Sequence, residues 1–197
     1  QRLLQRAREL NDNVFLMPNA TDYGLFGAAA ADEPTATMME SIPNPRIGYC
    51  GSIGDRVDFP LLRYVADARP DWSLVMIGPV WPHKRELAQE LGALPNVYML
   101  EAQPYRTLPV FLQGFDVCII PHTCDDLTAA MDPIKIYDYL ASGKPVVSTP
   151  VAGVDRFGDV VGIAGTPEEF VGCLKVALQG DGTGIERRLQ YARQNTW

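Results

Sequence analysis

A chain of 197 residues, 47% hydrophobic and 21% charged, is long enough to bury the core of one full-sized domain. Its formal net charge of -7, with a sequence pI of about 4.8, opposes attraction to nucleic acid or to an anionic bilayer, so an anionic ligand must be held by local groups. Neither a signal peptide nor a transmembrane segment is legible in the basic stretch that opens at Gln1. The four cysteines, Cys50, Cys118, Cys124 and Cys173, are scattered without a CxxC pair, as expected of reduced thiols in the cytoplasm. His83 and His122 have no zinc-like spacing to them, so no metal site is expected.

In chain order, residues 1–10 place Leu3, Leu4 and Leu10 on one side of a helix. Val14 to Met17 reads as a short strand stopped by Pro18-Asn19. Residues 28–45 are small, polar and proline-bearing, which predicts a linker or surface excursion. Residues 1–45 are therefore expected to be a lead-in from an N-terminal domain outside this sequence, and 46–197 a nucleotide-binding domain.

From Pro45 onward, apolar strands alternate with amphipathic helices. The expected strands are Ile47 to Cys50, Leu74 to Ile77, Val97 to Leu100, Val117 to Ile120, Val146 to Ser148 and a weaker Val160 to Ile163. Runs apolar throughout belong to a sheet covered on both faces, which predicts a doubly wound, Rossmann-like α/β fold of about six parallel strands. Asp132-Pro133 reads as an N-cap with a first-turn proline, Gly143 as a left-handed helix end, and Thr166-Pro167-Glu168-Glu169 as a capping box. In such sheets ligands bind beyond the carboxyl ends of the strands, which directs attention to the loops after Cys50, Ile77, Leu100, Ile120 and Ser148.

The loop Gly51-Ser52-Ile53-Gly54-Asp55-Arg56 follows a strand and precedes a helix starting near Asp58. Its glycines permit close backbone approach to a phosphate, or serve only a tight turn. The spacing is not GxGxxG and no Walker sequence occurs, which argues against a dinucleotide enzyme and an NTPase. On the helix after Pro133, Lys135 and Asp138 are three residues apart and share a face. One cation and one carboxylate there suit a nucleoside diphosphate, the lysine offsetting phosphate charge and the carboxylate accepting from ribose hydroxyls; the alternative is a solvated intrahelical ion pair. Asp116, and the adjacent Asp125 and Asp126, read as turn or solvated acids rather than ligands.

Taken together these segments resemble the C-terminal half of GT-B glycosyltransferases, in particular the group 1, family 4-like transferases of bacterial cell-surface polysaccharide and teichuronic acid synthesis. The resemblance covers nearly the whole chain: VFLMPNATDYGLF resembles the entry into the C-terminal domain, RIGYCGSIGDRVDFPLL its first strand and glycine loop, and SLVMIGP its second strand. NVYMLEAQPYRTLPVFLQGFDVCIIP is similar to the third and fourth strands with their helix, and DPIKIYDYLASGKPVVST to the signature helix and next strand.

The resemblance implies a retaining hexosyltransferase using a UDP-sugar and a glycan or lipid-linked acceptor, without a metal or other cofactor. It places Gly51, Ser52, Ile53, Gln103, Tyr105, Thr128, Lys135 and Asp138 at the donor, with Lys135 and Arg56 stabilising the departing diphosphate. Two departures stand out: Ala130 occupies the first of two positions, eight apart, where many members carry glutamates, and Ser52 stands where many have arginine. The rival readings are a nucleotide-sugar 2-epimerase and a non-catalytic α/β ligand-binding module.

Overall fold

The computed structural model describes residues 2–27, 37–180 and 184–197. Six strands form one parallel sheet: β1 (Arg46–Cys50), β2 (Ser73–Ile77), β3 (Val97–Leu100), β4 (Val117–Ile120), β5 (Val146–Ser148) and β6 (Val161–Ile163), in spatial order β3-β2-β1-β4-β5-β6. The expected doubly wound α/β sheet is what forms, with strand limits within one residue of those read from the sequence.

Side chains alternate across the sheet, and each face has its own core. Ile47 and Tyr49 of β1, Leu74 and Met76 of β2, and Val117 and Ile119 of β4 point to one face. There they meet the helices α4 (Phe59–Ala68), α5 (Arg85–Gly92) and α8 (Pro167–Leu178) through Leu62, Leu91 and Phe170. Cys50, Val75, Ile77, Cys118 and Ile120 point to the other face, against α6 (Leu108–Gln113), α7 (Ile134–Ala141) and α9 (Gly184–Gln194). Burial on both faces is why these strands read as continuous apolar runs.

Helix ends follow local chemistry. Asp58 accepts a hydrogen bond from Leu61 N at 2.9 Å to open α4, and Thr166 accepts one from Glu169 N at 3.2 Å to open α8. The Glu169 carboxylate reaches back to Gly165 N at 2.8 Å, completing a capping box displaced by one residue. Gly143 closes α7 with φ of 71°, as expected.

Three expectations fail. Asp132 does not cap α7: Pro133 is the N-cap residue and no side chain caps it, because the Asp132 carboxylate accepts from Asn19 N at 2.9 Å and from Tyr137 Oη and pairs with Arg156. Val14 to Met17 is not a strand. It has no ladder partner among the described residues, and Phe15 and Met17 are 89% and 87% exposed. The 28–45 stretch is not all surface: residues 28–36 lie outside the described ones, but Thr37–Glu40 forms a helical turn, α3, whose Met39 is buried in the core with Ile42.

The lead-in is anchored to the domain. A helix, α1, spans Arg2–Arg8, and after the extended stretch Asp22 caps the turn α2 (Tyr23–Phe26), which buries Phe26. Thr21 bridges in parallel to Thr196, its N donating to Asn195 O at 3.0 Å and its O accepting from Trp197 N at 3.1 Å.

Candidate functional site: a lysine and a carboxylate at the carboxyl ends of β1 and β4

Strand order reverses between β1 and β4, so the connections leaving these two strands diverge to opposite faces and open a crevice at their carboxyl ends. The loop after β1 is built on two glycines in contact. Gly51 has φ of 147° and Gly78, after β2, has φ of 148°. A Cβ on Gly78 would lie 2.1 Å from Gly51 O, so the two loops meet backbone to backbone and no larger residue fits. Gly51 N donates to Ile77 O at 2.9 Å and Ile53 N to Pro79 O at 2.9 Å, which fixes the loop beside the next strand. Ile53 is buried as an anchor, whereas Ser52 and Arg56 are exposed. Among the described residues no side chain pairs with the Arg56 guanidinium, while Arg56 O accepts from Thr123 N at 2.8 Å and ties the loop to the segment after β4.

Helix α7 delivers Lys135 to the underside of this loop. Lys135 Nζ donates to Tyr49 Oη at 3.3 Å, lies 3.4 Å from His122 Nε2, and sits 4.7 Å from the centre of the Tyr49 ring. A Cβ on Gly51 would come within 3.2 Å of Nζ, so the glycine keeps space for the ammonium. Burial and the nearby Arg56 push the Lys135 pKa down to about 8, against the pull of Cys50 and Asp138.

One turn further along α7, Asp138 is only 7% exposed. Its Oδ1 accepts from Thr21 Oγ1 at 2.7 Å and from Tyr105 Oη at 3.4 Å. Burial raises its pKa to about 6 although Thr21 and Tyr105 favour the charged form; Asp22 adds to the rise. Lys135 and Asp138 are thus not a solvated ion pair: each is drawn inward to its own partners. Tyr105 itself is pushed up to about 12 by burial and by Asp138, and packs edge-on against Phe26 with ring centres 5.2 Å apart.

The remaining expected positions fall around this pair. Gln103 is half-buried in the turn after β3 and its Nε2 donates to Glu101 O at 3.3 Å. Thr128 is buried, with Oγ1 donating to Thr123 O at 2.6 Å and accepting from Asp125 N at 3.0 Å, so its hydroxyl is committed to holding the 123–128 loop. Asp125 accepts from Thr128 N at 3.1 Å, and Asp116 accepts from Arg46 N at 2.7 Å, both turn roles.

The family model "Glycosyl transferases group 1" matches residues 44–179, which includes the glycine loop, Lys135 and Asp138. The chain belongs to this family. Among curated proteins, this chain is 29% identical over 198 residues to TuaH of Bacillus subtilis (strain 168), provisionally named a teichuronic acid biosynthesis glycosyltransferase. That match covers 94% of this chain and 48% of TuaH. Among solved structures, sucrose-phosphate synthase from Thermosynechococcus elongatus superposes with a TM-score of 0.73 at 18% identity, over 100% of this chain and 52% of that one. Anabaena HepE, crystallised with UDP and glucose, gives 0.68 at 16% identity over 90% and 51%. At such identities the structural likeness speaks for the GT-B fold alone, and the chain spans about half the length of the relatives it matches.

Three residues that hold Lys135 and Asp138 were not expected from the sequence: Thr21, Tyr49 and His122. Thr21 acts from 117 residues away and no local pattern marks it. His122 directly follows the Pro121 that ends β4, so its place at a strand end was the available signal.

Proposed function

We propose that this chain holds a UDP-sugar for transfer of a hexosyl unit, with retention at the anomeric carbon, to a hydroxyl of a glycan or lipid-linked acceptor in cell-surface polysaccharide synthesis on the cytoplasmic side of the membrane. The observation that carries this reading is the placing, one helical turn apart, of a half-buried cation against the glycine loop and a buried carboxylate beside it. In this reading Lys135 meets the diphosphate, Asp138 accepts from the ribose hydroxyls, and the turn bearing Gln103 and Tyr105 borders the base. Gly51, Ser52 and Ile53 present backbone groups to the phosphates. Thr128 acts through the loop it holds.

The step breaks the bond from the anomeric carbon to the β-phosphate oxygen, which keeps the electron pair. A bond forms from that carbon to the acceptor oxygen, whose proton passes to a base. Negative charge grows on the departing diphosphate, and Lys135, the uncommitted Arg56 and the N–H groups opening α7 are placed to stabilise it without a metal. The acceptor pocket and the base belong, in this reading, to the half of the relatives' length that this chain does not match. Family membership favours transfer over epimerisation.

Calorimetric titration with UDP, GDP and UDP-sugars, repeated with Lys135→Ala and Asp138→Ala, tests the reading. Hydrogen bonds to charged groups are worth about 1.5–3 kcal/mol, so each substitution is expected to weaken UDP binding roughly tenfold or more. UDP binding that ignores both substitutions places the donor elsewhere.

A further inference from the structure

His122 is an unusual residue to find in this position: 1% exposed, directly beyond β4, and with a ring Nδ1 that has no hydrogen-bond partner. Its backbone is held from two sides. Its N donates to Thr149 Oγ1 at 3.2 Å, its carbonyl accepts from Thr149 Oγ1 at 2.6 Å, and it bridges to Val57 of the loop before α4. The ring, enclosed by burial, aims Nε2 at Lys135 Nζ, 3.4 Å away.

We propose that His122 is a positioning residue which, together with Tyr49, holds the Lys135 ammonium by two of its three N–H bonds and leaves the third for the diphosphate. The inference rests on the reading of Lys135 as the diphosphate contact. An ammonium has three donors and no acceptor. Tyr49 Oη accepts one of them at 3.3 Å while its own hydrogen goes to Ser52 O at 2.9 Å, so the tyrosine links the lysine to the glycine loop. His122 Nε2 accepts the second, which requires the proton to be on Nδ1. The opposite tautomer would set an N–H against an ammonium N–H.

The groups facing Lys135 are Tyr49 and Cys50 from β1, Arg56 from the loop that follows, His122 from beyond β4, and Asp138 on its own helix. Burial, with Lys135 and Arg56 nearby, holds the imidazole neutral by pushing its pKa down to about 3, so one ring nitrogen is free to accept near neutral pH. A third cation beside Lys135 and Arg56 is thereby avoided, while the lysine gains a fixed direction. A flexible four-carbon stem otherwise loses that direction to rotamer freedom.

The tautomer is measurable without touching the residue. With His83→Gln, His122 is the sole histidine, and a long-range 1H–15N spectrum of 15N-histidine protein reports which ring nitrogen carries the proton. The expected result is protonated Nδ1 and bare Nε2 between pH 6 and 8, relaxing toward protonated Nε2 in Lys135→Met. Protonated Nε2 in the parent protein, or a tautomer indifferent to Lys135→Met, overturns the proposal even where His122 variants fail to fold. In UDP titrations His122→Phe is expected to bind about three- to tenfold more weakly, with loss of affinity beginning at lower pH on the alkaline side, because the ammonium has lost an acceptor. His122→Gln, whose amide oxygen can accept, is expected to recover most of that. Equal UDP affinity and pH profile in folded His122→Phe also refutes the proposal. If UDP does not bind at all, the donor reading fails, and the tautomer still decides the link between His122 and Lys135.

Discussion

Replacing Asp138 by asparagine should make the domain more stable while weakening the ribose contact proposed for it. The carboxyl pKa is raised from 3.8 to about 6 in the folded chain. Between these values the folded state holds a proton that the unfolded state has released. The contribution is therefore fully present below about pH 4 and is lost as pH rises through about 6. At about 1.36 kcal/mol for each tenfold change in proton affinity, the charged carboxylate costs about 3 kcal/mol at pH 7, undiscounted because Asp138 is only 7% exposed. Asparagine is isosteric, keeps an oxygen to accept from Thr21 Oγ1, and carries no charge to desolvate. Urea unfolding of both proteins at pH 4, 5, 6 and 7 should give similar stabilities at pH 4 and a gap of about 2–3 kcal/mol in favour of Asp138→Asn at pH 7. UDP affinity should fall about tenfold in the same variant. A variant less stable than its parent at pH 7, or a gap that does not change with pH, would show that the Asp138 environment is not the desolvating one described. A gain in stability at the cost of binding is what a site selected for its ligand should display.

Thr21→Val removes the 2.7 Å hydrogen bond to Asp138, so the carboxyl pKa should rise further and the acid limb of UDP binding should move to higher pH in calorimetric titrations. In the parent that limb is expected near pH 6 from Asp138 and an alkaline limb near pH 8 from Lys135, giving a bell-shaped affinity profile. Gly78→Ala places a Cβ 2.1 Å from Gly51 O at a φ of 148°, and should cost about 2 kcal/mol or more in urea unfolding through strain and overpacking. Thr128→Val breaks the hydroxyl bonds to Thr123 O and Asp125 N. It should cost about 1–2 kcal/mol of stability yet change UDP affinity less than about threefold, whereas a direct donor contact would lose tenfold.

The sheet was legible because its strands are covered on both faces and so read as unbroken apolar runs such as Val117 to Ile120. Lys135 and Asp138 were legible because their relation is local, one turn of one helix. Val14 to Met17 has the same local appearance as a true strand, but ladder partners are not written in the segment itself. Asp132 had the look of an N-cap until Asn19 and Arg156, both brought in by the fold, together with Tyr137 on the helix that follows, took up its oxygens. Thr21, Tyr49 and His122 contribute through contacts that join residues 13 to 117 positions apart, and a lone histidine or threonine carries no periodic signal.

The parallel bridge between Thr21 and Thr196 joins residues 175 apart, and Thr21 also supplies the hydroxyl that reaches Asp138. Closing so long a loop carries an entropic cost that contacts made earlier in the sheet offset, so this contact is expected to form late in folding rather than in its nucleus. The Thr21 hydroxyl, which moderates the raised pKa of Asp138, is then among its last partners to arrive, and a φ-value near zero at Thr21 is the expected kinetic signature.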